Sequence, residues 1–138
     1  MTNTDTASTS ARPPAEPGKK HILIVDDERP IRELVAEYLT ARGFRVTAVC
    51  SAAGAHKVAR DDAPQLVITD LQLEDSDGLE LVDQLKSERP DMPVILLTGV
   101  LFDQRVVEER ISKKVSAYVS KTSALNELLT EVLRLLKP

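Results

Sequence analysis

The feature of this sequence that most constrains its fold is a strict alternation of short apolar runs with helical stretches. Five runs rich in Val, Ile and Leu, each four to six residues long, have the length and composition of buried strands. Between and after them, apolar residues recur every three or four positions, which is typical of amphipathic helices. The strands are predicted over 21–25, 44–49, 66–69, 93–97 and 117–120. This alternation predicts an α/β fold: a doubly wound, five-stranded parallel sheet with right-handed crossovers and helices on both faces.

Turn and capping residues indicate where the predicted helices begin and end. Pro30 suits the first turn of the first helix, where its missing N–H group is not needed, and Gly43 closes that helix. Gly78 opens the third helix, and a polar fourth helix is predicted over 102–114. Ser123 is the predicted N-cap of the last helix.

The first 19 residues differ from the rest in being rich in Thr, Ser, Ala and Pro. They carry too little apolar surface to offset the entropy of ordering, so we predict a disordered tail over 1–19 and one domain over 20–138. No apolar run approaches the length of a membrane span, and the N-terminus lacks the apolar segment of a signal peptide. A cytoplasmic location without membrane contact is therefore predicted.

Charge and composition argue against several classes of binding site. The net charge is −4, from 18 basic and 22 acidic residues, which disfavours a general nucleic-acid surface. Aromatic residues make up only 3% and Trp is absent, so base-stacking platforms are not expected. Cys50 is the only cysteine, which excludes an intrachain disulfide and a cysteine-based zinc site.

Polar residues follow four of the five predicted strands. Asp26 and Asp27 follow the first, Asp70 the third, Thr98 the fourth and Lys121 the fifth. Because the carboxyl ends of parallel strands meet at one edge, where open α/β sheets bind ligands, these side chains should converge. Any one of the carboxylates could be an ordinary capping group, but three beside a lysine favour a functional site.

The chemistry of this set suits phosphoryl transfer. Three clustered carboxylates repel one another unless a divalent cation neutralises them, and Mg²⁺ prefers oxygen ligands and retains water. Lys121 supplies a positive charge and Thr98 a hydroxyl group for phosphoryl oxygens. The set is therefore suited to accepting a phosphoryl group on Asp70.

These motifs, in this order and spacing, resemble the receiver domain of bacterial two-component response regulators. The resemblance covers roughly 20–137 and implies a flavodoxin-like sheet of the receiver type. It rests on four motifs: the acidic pair after the first strand (Asp26-Asp27-Glu28), the phosphoacceptor strand with its loop (66–70 with Asp77-Gly78), the fourth strand with its hydroxyl group (93–99), and the aromatic residue and lysine of the fifth strand (118–121). One departure is Thr122, which follows Lys121 where the family usually has a proline.

The resemblance implies a role for each site residue. Asp70 would be the phosphoacceptor and the catalytic nucleophile. Asp27 and Asp70 would bind Mg²⁺ directly, together with the backbone carbonyl of Gln72, and Asp26 would act largely through water. Lys121 would pair first with the acceptor carboxylate and then with the phosphoryl group.

The resemblance also implies a switch. Thr98 would move toward the phosphoryl group and Tyr118 would change rotamer, altering the face made by the 102–114 helix, the fifth strand and the last helix. Two neighbouring residues are given no catalytic role. Glu28 is expected to face solvent near the site, and His21 to be a surface or strand-edge residue.

The expected function is a phosphorylation-dependent signalling switch, a stand-alone receiver without an output domain. A sensor histidine kinase or phosphotransfer protein would supply the phosphoryl group, and an unknown protein partner would receive the signal, with a phosphorylation-dependent dimer as one candidate output. The chain would not be an enzyme beyond autophosphorylation from small donors and autodephosphorylation. The alternative is a phosphatase that forms an aspartyl phosphate, which would need a second carboxylate where Gln72 stands. A flavin-binding module would need a phosphate-binding loop after the first strand, where none is found.

Overall fold

In the computed structural model, residues 19–99, 105, 109, 111 and 113–137 are described. Their strands and helices are β1 His21–Val25, α1 Arg29–Ala41, β2 Arg45–Val49, α2 Ala52–Asp61, β3 Leu66–Thr69, α3 Gly78–Glu88, β4 Val94–Thr98, β5 Ala117–Ser120 and α4 Leu125–Leu135. The predicted tail, apart from Lys19, and most of the helix predicted over 102–114 lie outside the described residues. No helix in the described part of the chain combines the length and apolar character that a membrane span needs.

The five strands form one parallel sheet with the order β2-β1-β3-β4-β5. The predicted doubly wound α/β fold is therefore confirmed. The chain moves outward from β1 to β2 and then crosses back over β1 to reach β3, so its winding direction reverses between β1 and β3. In open α/β sheets the crevice at such a reversal, beyond the carboxyl ends of the strands, is where ligands bind.

Both faces of the sheet are covered. The central strands β1, β3 and β4 are buried along their whole length, as the continuous apolar runs predicted. Val35 of α1 and Val132 of α4 pack on one face, and Ala55 of α2 and Leu81 of α3 pack on the other. The strands therefore form a rigid platform whose carboxyl edge can hold side chains in fixed positions.

Local signals set most of the helix ends. Gly43 follows α1 with a φ of +97°, in the left-handed region that glycine favours. Asp77 caps α3, because its Oδ1 atom accepts a hydrogen bond of 2.7 Å from the N–H group of Leu79. The prediction that Ser123 caps the last helix is wrong: Ala124 holds that position without a side-chain hydrogen bond. The backbone N–H of Ser123 instead bonds to the carbonyl of Ser120, in a turn that follows β5.

Candidate functional site

Backbone pairing continues one residue beyond the strands and brings the predicted site residues to one edge of the sheet. The N–H group of Asp26 donates to the carbonyl of Val49 at 3.1 Å, and that of Asp70 donates to the carbonyl of Val25 at 3.0 Å. The N–H group of Lys121 donates to the carbonyl of Thr98 at 2.9 Å. These residues are therefore held by the parallel ladder itself and do not depend on loop conformation.

Asp26, Asp27 and Asp70 form an acidic cluster in which one carboxylate oxygen of each lies within 4.8 Å of the others. Asp26 and Asp70 are buried, and Asp27 is exposed. Oxygen ligands lie about 2.0–2.1 Å from an octahedral Mg²⁺, so opposite ligands are about 4 Å apart. The donor type and the spacing of this cluster therefore fit Mg²⁺ after a small contraction.

The electrostatics of Asp26 favour the arrival of a cation. Burial raises the pKa of Asp26 above its ordinary value, and the neighbouring charge of Asp70 raises it further. Hydrogen bonds from the N–H group of Glu28, at 2.8 Å, and from Lys121 act in the opposite direction without cancelling the effect. Keeping Asp26 ionised therefore costs the folded protein free energy, and a bound cation would reduce that cost.

Lys121 is the cationic centre of the site. Its Nζ atom lies 2.8 Å from Oδ2 of Asp70 and 2.9 Å from Oδ2 of Asp26, and it also pairs with Oε1 of Glu28. Burial disfavours the charged form of Lys121, but the hydrogen bonds to the three carboxylates outweigh it and raise the pKa of Lys121 above its ordinary value. The Lys121–Thr122 peptide bond, where the family usually has proline, is trans.

The carboxylate of Asp70 is fixed from two sides. Its Oδ1 atom accepts a hydrogen bond of 2.7 Å from the N–H group of Leu71, while Oδ2 faces Lys121. The backbone of Asp70 is also tightly packed, because a Cβ atom added at Gly78 would lie 2.0 Å from the Asp70 carbonyl oxygen. Only glycine fits at the start of α3 in this arrangement, which explains the residue at position 78.

The two predicted switch residues lie on one face of the sheet. Tyr118 pairs with Leu96 in the β4–β5 ladder, and Thr98 is two residues further along β4. Because side chains alternate along a strand, Leu96 and Thr98 point to the same side as Tyr118. Thr98 is buried and Tyr118 is half-buried. Gln72 is exposed and bridges to Asp77 across the loop after β3.

Three further contacts lie at or near the site. Glu28 is 59% exposed, close to the predicted orientation, yet its carboxylate pairs with Lys121, which lies 93 residues away. Nη1 of Arg32 donates to the backbone carbonyl of Asp26 at 2.8 Å. Asp75, in the loop after β3, accepts hydrogen bonds from the first two N–H groups of α2. The partner of Glu28 is distant in the sequence, so no local sequence signal could have identified that contact.

Comparison with known proteins identifies the same type of domain. A family model described as the response regulator receiver domain matches residues 22–133. The chain is 30% identical over 113 residues to the regulatory protein VirG of Agrobacterium fabrum, an alignment that covers 82% of this chain and 44% of VirG. It is 33% identical over 119 residues to the probable transcriptional regulatory protein TcrX of Mycobacterium tuberculosis, covering 84% of this chain and 49% of TcrX.

A solved structure shares both fold and sequence with this chain. The response regulator TrrA of Thermotoga maritima, in complex with Mg²⁺ and beryllium fluoride, is 32% identical and superposes with a TM-score of 0.76. The alignment covers 85% of this chain and 99% of TrrA. The chain spans about half the length of the curated relatives it matches, so the stand-alone architecture stays a prediction. The cytoplasmic location also stays a prediction.

Proposed function

Because the chain belongs to the response regulator receiver family, we propose that it is a signalling switch controlled by phosphorylation of Asp70. The geometry of the Asp70 carboxylate carries this proposal. Its two oxygens accept hydrogen bonds from the N–H group of Leu71 at 2.7 Å and from Nζ of Lys121 at 2.8 Å. A carboxylate held in this way at the edge of a sheet is oriented for attack before the donor arrives.

The proposed donor is a phosphohistidine on a sensor histidine kinase or a histidine phosphotransfer protein. An oxygen of Asp70 attacks the phosphorus atom as the bond between phosphorus and imidazole nitrogen breaks. The imidazole leaves and takes up a proton, and the product is an acyl phosphate on Asp70. Lys121 already contacts the acceptor carboxylate, so it is placed to pair with the phosphoryl oxygens and compensate their charge.

Asp26, Asp27 and Asp70 would hold Mg²⁺ in this proposal, with the backbone carbonyl of Gln72 as a further ligand. Bound Mg²⁺ would supply neutralisation of the charge on the phosphoryl oxygens. The spacing of the acidic cluster and the raised pKa of Asp26 support this assignment. The Mg²⁺ complex of TrrA supports it from a relative.

The switch is proposed to act through β4 and β5. The hydroxyl of Thr98 would turn toward the phosphoryl group on Asp70, and Tyr118, on the same face of the sheet, would respond by changing rotamer. The backbone hydrogen bond from Lys121 to Thr98 couples the two residues that would contact the phosphoryl group. The altered face of the receiver domain, proposed to extend over 20–138, would then bind a protein partner, with a dimer as one possible form.

Acetyl phosphate with Mg²⁺ tests the proposal without requiring the kinase. About one phosphate per chain should be incorporated, removable by hydroxylamine because it is an acyl phosphate. Asp70→Asn should fold normally, since the amide has the same shape, and should take up no label. Label at another residue of Asp70→Asn would contradict the assignment of the nucleophile. Continuous release of phosphate without accumulation of labelled protein would favour the phosphatase alternative.

A further inference from the structure

We propose that Glu28 is a positioning residue: its carboxylate forms an ion pair with Lys121 in the unphosphorylated protein, and this pair must break when a phosphoryl group arrives. The inference rests on the proposed function of Asp70. It concerns the contact between Oε1 of Glu28 and Nζ of Lys121, which joins the N-terminus of α1 to the end of β5. In this arrangement the Glu28 carboxylate takes the place of phosphoryl oxygens and competes with them.

The first step of the argument is the number of donors on Lys121. A lysine ammonium group has three N–H donors. Nζ of Lys121 donates hydrogen bonds to Oε1 of Glu28 and Oδ2 of Asp70 and forms an ion pair with Oδ2 of Asp26 at 2.9 Å, so three carboxylates already share its charge. A phosphoryl group attached to Asp70 brings new anionic oxygens within reach. For Lys121 to donate to them, one of its present contacts has to be given up.

The second step is which contact is released. The side chains of Asp26 and Asp70 are only 2% and 10% exposed, whereas that of Glu28 is 59% exposed. A buried carboxylate that loses its partner is left without solvation, but water can solvate the Glu28 carboxylate as soon as it leaves. Phosphorylation converts the Asp70 carboxylate into an uncharged acyl group, so the charged partners left to compare are Asp26 and Glu28. Of these two, Glu28 is the one that Lys121 loses at the lower cost.

The third step is that the backbone of Glu28 need not move. Its N–H group donates to Oδ1 of Asp26 at 2.8 Å, and its carbonyl accepts from the N–H group of Arg32 at 2.9 Å, in the first turn of α1. With both backbone groups fixed, rotation of the side chain is enough to release Lys121. The release of Lys121 therefore involves only the Glu28 side chain, at the rim of the site.

The test measures the affinity for beryllium fluoride, a phosphoryl analogue, in the presence of Mg²⁺ by ¹⁹F NMR titration. Glu28→Asp keeps the charge but shortens the side chain by one methylene, and Glu28→Gln keeps the shape but removes the charge. Both should bind the analogue about two- to fivefold more tightly than the wild type, the range expected from an ion pair that is partly exposed. Glu74→Gln, which removes an exposed charge from the loop after β3, is the matched control and should bind as the wild type does.

The pattern among the variants separates a contact from a general charge effect. Tighter binding by Glu28→Gln together with wild-type binding by Glu28→Asp would show that only the charge matters, and would overturn the inference. Equal binding by all variants would also overturn it. If the wild type itself fails to bind the analogue, the proposed function fails and the role of Glu28 fails with it.

A second measurement reports the contact directly. The ¹⁵Nζ and ¹³Cε resonances of Lys121, recorded without Mg²⁺ or phosphoryl analogue, should shift in Glu28→Asp but not in Glu74→Gln. Because this readout is independent of phosphorylation, it tests the ion pair even in a protein that binds no analogue. Unchanged Lys121 resonances in Glu28→Asp would show that the pair does not form in solution.

Discussion

The two ends of the same sheet differ in how their positively and negatively charged side chains are matched. At the amino end, Arg45 at the start of β2 makes two hydrogen bonds to the carboxylate of Asp62, at 2.7 and 3.1 Å. His21, at the start of β1, is buried beside them with its Nε2 atom 2.8 Å from Oγ1 of Thr47. Here one guanidinium group makes a two-point ion pair with one carboxylate.

At the carboxyl end negative charge is in excess, because Lys121 contacts the carboxylates of Asp26, Glu28 and Asp70 and the carboxylate of Asp27 lies nearby. Burial and the charge of Asp70 raise the pKa of Asp26, which means that the ionised form of this carboxylate is disfavoured in the folded protein. The Arg45–Asp62 pair matches one positive charge with one negative charge, whereas an excess of carboxylates favours an additional cation. The comparison therefore favours the carboxyl end as the one where the proposed cation and phosphoryl group would bind.

The largest expected difference between the ends is in phosphorylation. Asp27→Ala removes an exposed carboxylate, a proposed Mg²⁺ ligand, from the acidic cluster. Labelling by acetyl phosphate should therefore fall by more than about a hundredfold, the scale of losing one charge-stabilising group from a site. Mg²⁺ binding, measured by calorimetry, should be lost in parallel while the circular dichroism spectrum stays unchanged.

Asp62→Asn is the matched control at the amino end. It should keep wild-type labelling and lose stability, because Arg45 would no longer have a charged partner. If Asp27→Ala is labelled at the wild-type rate in the presence of a chelator, the metal assignment is wrong. If Asp62→Asn is labelled poorly while still folded, the contrast between the two ends fails.

The next effect in size concerns two glycines at the carboxyl end. A Cβ atom at position 78 would lie 2.0 Å from the carbonyl oxygen of Asp70, whereas a Cβ atom at position 99 would meet only Cδ of Lys121, at 3.9 Å. Gly78→Ala should therefore lower the free energy of unfolding by about 3 kcal/mol, at the upper end of ordinary overpacking, and Gly99→Ala by less than about 1 kcal/mol. Urea unfolding followed by circular dichroism measures both. Equal stability of the two variants would show that the loop after β3 shifts to fit the added methyl group without lowering the free energy of unfolding.

Most of the fold could be predicted because its signals are local. Continuous apolar runs identify β1, β3 and β4, and the alternation with helices requires a parallel sheet. The convergence of Asp26, Asp70 and Lys121 then follows from topology, since each residue comes directly after a strand. Where the signal was a single residue it could fail, as it did when Ser123 was predicted to cap the last helix.

The remaining contacts depend on tertiary packing. His21 was expected at the surface or at a strand edge but is 2% exposed, because Thr47 and Asp62 close over it from other elements. Glu28 follows the acidic pair in sequence, yet its pairing with Lys121 depends on how far two loops reach at the same edge. Neither contact has a sequence period or motif, so only the assembled structure reveals it.

The smallest expected effect is the pH dependence of stability that Asp26 contributes. Since the pKa of Asp26 is raised in the folded state, the native protein binds a proton there more readily than the unfolded chain does. Stability therefore falls as the pH rises above the ordinary carboxyl pKa of about 4 and through the raised folded value. Asp26→Asn, which cannot titrate, should escape this loss and be more stable than the wild type at neutral pH by about 1 kcal/mol.

Urea unfolding of both proteins between about pH 4.5 and 8 measures this difference, which should shrink toward the acidic end of the range. Lys121, whose pKa is raised, stays charged throughout, and its contribution is lost only at more alkaline pH. The lowered pKa of Asp75 has the opposite sign, so its stabilisation is lost only below the range. Asp62→Asn, from the matched pair at the amino end, should be destabilised at neutral pH. An Asp26→Asn protein that is also destabilised there would show that the carboxyl end is balanced after all.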